Sequence, residues 1–230
     1  MKRLPAVCLV TLTLIVFGVK RQAPGQEMRQ GVSVQLAITS NATPIPDADN
    51  ADAWIVSVTE NGSLYLGIEP VTPAGLAEAM KSRPRNREQK LYIKADERTA
   101  YASVQKALDA GREVSFEVAM LLTSQREYAA PGTIVPPKGL EVMLRPLEAG
   151  ADSTPVRLRR SKRRMPDIKI GQQVVQWSAA SGRLTQLLQN QREKTVQLQA
   201  RGLLPFGDVV RVIDICSGQG AKIFLAAPEL

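Results

Sequence analysis

Histidine does not occur in this chain, and that absence removes most of the familiar catalytic machinery. Ser–His–Asp and Cys–His nucleophile systems need an imidazole, and so does the commonest zinc ligand set. Two cysteines, Cys8 and Cys216, give neither a disulfide framework nor a metal-ligand spacing. Cys8 lies in an apolar run and Cys216 on the apolar face of an expected helix, where a thiol serves as a small hydrophobe. The chain therefore reads as a non-enzyme, with no cofactor, metal or catalytic residue expected. Its densest charged feature is Arg157, Arg159, Arg160, Lys162, Arg163 and Arg164, which supply most of a net charge of +8. Such a tract suits a charge-blunted edge hairpin, or docking of an anionic partner such as phospholipid headgroups or cell-wall polymer. No aromatic residues interleave the arginines, so nucleic acid is not an expected partner.

The elements that would position these residues occur twice. Leu91-Tyr92-Ile93-Lys94-Ala95-Asp96 leads into Tyr101, Val104, Leu108 and Asp109 and then an apolar run from Phe116 to Leu122. A step of 105 residues returns Val196 to Ala200, then Phe206, Val209, Ile213 and Asp214, then Ile223 to Leu225. Ala95 recurs as Ala200, Val104 as Val209 and Asp109 as Asp214, and Val118 falls against Ile223. Alternation over Leu91, Ile93 and Ala95 predicts a half-buried strand. Tyr101, Val104, Leu108 and Gly111 lie on one helical face, as do Phe206, Val209, Ile213 and Cys216. Strand, helix and strand in so few residues predict a crossover between parallel strands in each copy.

At the amino end, Leu4 to Val19 is an uncharged run of sixteen residues between Lys2-Arg3 and Lys20-Arg21. As a helix it would rise about 24 Å, close to the roughly 30 Å hydrocarbon core once the basic flanks snorkel. It reads as an uncleaved anchor. A secretory signal is the alternative, but Lys20-Arg21-Gln22 stands where a small-x-small cleavage site belongs. Residues 22–53 read as a stalk in which Gly31 to Leu36 alternates as a short strand, echoed by Gly139 to Leu144. Asn61-Gly62 between Ile55–Val58 and Leu64–Leu66 predicts a hairpin. Thr72-Pro73 is expected to cap a helix whose inner stripe is Leu76, Ala79 and Met80, matched by Leu184, Leu187 and Leu188. The resulting division is an anchor (1–21), a stalk (22–53), a first domain (54–123), a linker (124–138) and a second domain (139–230).

Both units resemble the periplasmic domain of the ExbD/TolR family, on Ile93, Ala95-Asp96, Tyr101, Val104, Leu108 and Asp109 in the first. The second carries Leu198, Ala200, Phe206, Val209, Ile213, Asp214 and Gly220. Ser115 stands in the first copy where Gly220 precedes the last strand of the second, and Arg201 replaces the aspartate. Pro5-Ala6-Val7-Cys8 and Ile15-Val16-Phe17 are similar to the opening of the family's membrane span, and Gly31 to Leu36 to its first strand. The resemblance implies an α+β fold: one N-terminal transmembrane helix, then two tandem small domains, each a hairpin plus two helices on a mixed sheet. It also implies an inner-membrane, single-pass protein with most of its chain in the periplasm. Its role would be that of an accessory subunit, a dimer, beside a multi-span ExbB/TolQ-like channel in a proton-motive-force-driven complex. Cys8 stands where the family has its proton-carrying aspartate, and a thiol with a reference pKa near 8.5 is neutral at pH 7. The alternative is an anchored cell-envelope binding module with no motor role.

Overall fold

The structure, a computed structural model, describes residues 30–83, 90–125, 136–148, 151–162 and 165–226. The expected anchor, with Cys8, and the pair Arg163 and Arg164 lie outside the described residues. Among the described residues, no helix is long and apolar enough to cross a membrane.

A two-residue strand β1 (Thr43–Pro44) and a 3-10 turn (Pro46–Asp49) precede the first unit. That unit contains β2 (Trp54–Val58), β3 (Leu64–Leu66), β4 (Glu69–Val71), α1 (Leu76–Lys81), β5 (Leu91–Ala95), α2 (Tyr101–Glu113) and β6 (Val118–Thr123). After β7 (Lys138–Met143) the same succession returns. It comprises β8 (Thr154–Arg159), β9 (Asp167–Ile170), β10 (Gln173–Val175), α3 (Ala180–Leu188), β11 (Thr195–Ala200), α4 (Phe206–Ser217) and β12 (Lys222–Leu225). The fold is α+β with a large mixed sheet. Its order is β10-β9-β8-β11-β12-β7-β6-β5-β2-β3-β4, with β1 on the edge of β7. Pairing repeats as well: β2 and β8 each join an antiparallel hairpin on one side and a parallel strand on the other. The sheet is continuous across both units, and one apolar core runs beneath all four helices.

Local chemistry explains the repeated corners. Gly67 and Gly171 both have positive φ, +66° and +60°, and open two-residue turns that fold β4 and β10 back on β3 and β9. Their N–H groups donate to Ile55 O and Pro155 O, each at 2.8 Å. Helix α2 ends in a left-handed residue, Ser115 at φ 64°, with Ser115 N–H on Arg112 O and Phe116 N–H on Gly111 O. Helix α4 ends the same way at Gly220, φ +69°, bonded to Ser217 O, and Ala221 N–H reaches Cys216 O. Both are Schellman closures, for which glycine is the favoured residue.

Three expectations change. Leu91 pairs with Ala119 and Val196 with Ile223, so Ala119, not Val118, corresponds to Ile223. The extra residue of the first copy accommodates Phe116, which packs edge-to-face on Trp54 with ring centroids 5.8 Å apart. Thr72 does not cap the helix. Its Oγ1 accepts Gly75 N–H at 3.1 Å in a preceding turn, and α1 starts at Leu76, burying Leu76, Ala77 and Met80. Strand β5 is buried on both faces, because Ile45, Ala48 and Leu36 cover Ile55, Tyr92, Met120 and Leu122 on the side away from the helices.

The left-handed Ser115 yields a stability prediction. Ser115→Gly relieves the steric cost of that conformation and is expected to stabilise the chain by about 1 kcal/mol, a rise in Tm of roughly 2–4 °C. Gly220→Ser should lower Tm by a similar amount, and differential scanning calorimetry checks both.

Candidate functional site

The polar residues singled out by sequence gather at two places: the loops entering α2 and α4, and the outer ends of those helices. Asp96 follows β5 and is only 3 % exposed. Its Oδ1 accepts Arg98 N–H at 3.0 Å and Arg98 Nε at 2.9 Å, and its Oδ2 accepts Arg98 Nη2 at 2.9 Å and Gln35 N–H at 3.0 Å. The guanidinium, with the two backbone N–H groups, outweighs burial and holds the carboxyl down at about 2. Arg98 also pairs with Glu60 across 2.9 Å. Asp96 is thus a clamp that fixes the extended segment 31–37, with Gln35 O accepting Glu97 N–H at 2.8 Å. That segment alternates as expected but forms no strand; only Ile38 makes a bridge, parallel to Ser124.

The two helix entries meet. Tyr101 N–H donates to Leu204 O at 2.8 Å, and Phe206 N–H donates to Thr99 O at 2.8 Å. Ala102 N–H donates to Gly202 O at 2.9 Å, and Gly207 N–H to Glu97 O at 2.8 Å. Ala100 and Pro205 form an antiparallel bridge between these pairs. Tyr101 and Phe206 are buried just inside, and burial raises the Tyr101 phenol above its ordinary range.

The helical aspartates tie each helix to a distant segment. Asp214 accepts Asn41 N–H at 2.8 Å and Ser40 N–H at 3.1 Å, while Asn41 Nδ2 donates to the Asp214 carbonyl at 3.0 Å. Asp109 pairs with Arg112, whose Nε and Nη2 donate to Leu144 O at 3.1 Å and Leu225 O at 3.2 Å. Burial pushes the Cys216 thiol up to about 12, so it stays protonated within the core.

Among the described residues of the basic tract, Arg157 and Arg159 lie on β8 and Arg160 and Lys162 follow it. Val156 and Leu158 point into the core, which places Arg157 and Arg159 on the opposite face of β8. Arg157 Nε donates to Gln199 Oε1 at 2.9 Å, Arg159 stands opposite Asp167, and Arg160 and Lys162 are exposed beyond the strand. A cleft of about 200 Å³ opens beside β7, where Asn41, Glu141, Ser217 and Lys222 line the parting of β1 and β12. Among the described residues, no three His, Cys, Asp or Glu side chains are placed to hold a metal ion.

Sequence reasoning missed Arg98, Arg112 and Gly202, and the contacts that Asn41 and Gly207 make. The glycines were within reach: they stand one repeat step from Glu97 and Ala102, at positions where the copies differ.

A family model described as biopolymer transport protein ExbD/TolR matches residues 5–126, more than half of the chain. The chain belongs to the ExbD/TolR family. No curated protein and no solved structure matches it. The matched region runs from the apolar amino-terminal segment through β6, and so takes in the Asp96 clamp and α2 but not the second unit. ExbD/TolR proteins are non-enzymatic accessory subunits of biopolymer transport, generally anchored in the inner membrane and partnered with ExbB/TolQ-like proteins.

The clamp sets a pH dependence. The folded-state value of about 2 lies below the ordinary 3.8, so the stabilisation is complete above pH 4 and is lost as pH falls toward 2. Asp96→Asn should cost roughly 2 kcal/mol at pH 7 and much less at pH 2.5. Urea unfolding of both proteins at the two pH values checks this; an equal gap at both would show that the carboxylate is not clamped.

Proposed function

We propose that this chain is a membrane-anchored, periplasm-facing accessory subunit of a proton-motive-force-driven transduction or transport complex, acting beside a multi-span ExbB/TolQ-like channel. The observation that carries this is the family match over residues 5–126, which begins inside the apolar run and includes position 8. One helix over residues 4–19 contacts the channel, and two units, 54–123 and 139–230, stand outside the bilayer joined by one sheet and one core, with residues 31–53 packed on them. The second unit is a duplicate of the first; the recurring element order, pairing and left-handed helix ends support that reading. Cys8 at the family's carboxylate position deprives the chain of its own proton carrier, so proton transfer falls to another subunit.

A second reading, an anchored module for anionic envelope polymer, draws on Arg159, Arg160 and Lys162, exposed at the end of the β8–β9 hairpin. Binding of that kind would be salt-sensitive and would fall several-fold on Arg-to-Ala changes there.

Co-expression with a candidate channel subunit, followed by detergent extraction and affinity purification, separates the readings. The accessory role predicts a stable co-purifying complex that survives alanine at Arg159, Arg160 and Lys162. Membranes with this chain as the sole family member should show no proton-gradient-driven work; work supported by the Cys8 protein would overturn the assignment of proton transfer elsewhere.

A further inference from the structure

We infer that the surface joining the two units is a two-fold, self-complementary interface closed within one chain, so that the partner of the first unit is the second unit and not another copy. The inference rests on the two-unit reading above but not on the motor role. A helix start leaves N–H groups without intrahelical partners. Neither Ala100 before α2 nor Pro205 before α4 offers a side-chain cap. Each entry loop caps the other helix instead. Tyr101 N–H to Leu204 O and Phe206 N–H to Thr99 O exchange into one another under the 105-residue step, as do Ala102 N–H to Gly202 O and Gly207 N–H to Glu97 O. Reciprocal bonds of this kind are the signature of an isologous contact. The local axis passes between Ala100 and Pro205, the residues bridged at the centre.

Side-chain size then specifies a mixed pair. A Cβ at Gly202 would lie 2.9 Å from Ala102 Cβ, and one at Gly207 would lie 3.1 Å from Glu97 O and 3.2 Å from Glu97 Cβ. Two copies of the first unit would set Glu97 and Ala102 in those two places and collide at both. Two copies of the second would oppose glycine to glycine and leave the contact unfilled. Only the mixed pair sets a side chain against a glycine at each point. The dimer implied by the family resemblance therefore has to use another surface.

Exchange of the pair tests this in the full chain in detergent. Gly202→Ala should lower Tm by about 3 °C or more, and Ala102→Gly should recover part of that loss. The exchange variant Glu97→Gly/Ala102→Gly/Gly202→Glu/Gly207→Ala transposes the contact across the axis. It should regain more than half of the summed loss of its component single variants, and recovery is the expected result even where Gly202→Glu alone fails to fold. An exchange variant that loses as much as that sum would overturn the inference. Failure to co-purify with a channel subunit would refute the proposed role and leave this result standing.

Discussion

Four backbone hydrogen bonds between the loops entering α2 and α4 are the constraint on which the rest of the molecule depends. Each is worth about 0.5–1.5 kcal/mol, but leaving a buried donor unpaired costs about 1–3 kcal/mol, so the penalty for separation exceeds the gain from contact. With no side-chain cap at either start, neither helix satisfies its first turn alone. Those helices cover the sheet, and their inner faces, Val104 and Leu108 in one and Val209 and Ile213 in the other, belong to a single core. Mutual capping, sheet continuity and core packing therefore act in the same direction. The strand β7, lying between β6 and β12, adds a covalent and hydrogen-bonded seam along the sheet.

The two halves of the sheet diverge on the face away from the helices. In the first, Ile55, Tyr92, Met120 and Leu122 are apolar and lie beneath the incoming segment with Ile45 and Ala48. In the second, the register sets Gln197 opposite Phe224 and Gln199 opposite Arg157, and Arg145 stands 6.0 Å over the Phe224 ring. The incoming segment can cover one half only, and side-chain polarity follows that coverage. This accounts for a fully buried β5 beside a β11 buried on alternate residues.

Elements with a long apolar signal were legible: β5, α2, β6, β11, α4 and β12 all lie where periodicity set them. Strands β4 and β10 were not, because Glu-Pro-Val and Gln-Val-Val are short edge segments held by glycine turns rather than by a buried stripe. The hairpin at Asn61-Gly62 was legible, though its five-residue loop places positive φ on Gly62 alone, with Asn61 Oδ1 accepting Ser63 N–H. Alternation in Gly31 to Leu36 was real but misleading, since its hydrogen bonds go to a carboxylate and a loop instead of a ladder. The mutual cap left no pattern of its own, because backbone groups carry no residue type. Its trace in the sequence is the mismatch of Glu97 with Gly202 and of Ala102 with Gly207.

Arg201, one repeat step from Asp96, follows from the same reasoning. A carboxylate is needed after β5 because Gln35 N–H belongs to a segment outside the ladder and would otherwise be unpaired near the sheet. The corresponding stretch of the second unit, Gly139 to Met143, is strand β7, paired residue by residue with β6 from Val118 to Leu122. Its donors are satisfied by the ladder, and a carboxylate at position 201 would have no backbone N–H of that stretch to accept. Freed from that duty, position 201 is exposed, and an arginine is tolerated there. The two helical aspartates serve different partners: Asp109 orients the Arg112 that reaches Leu144 and Leu225, and Asp214 holds Ser40 and Asn41.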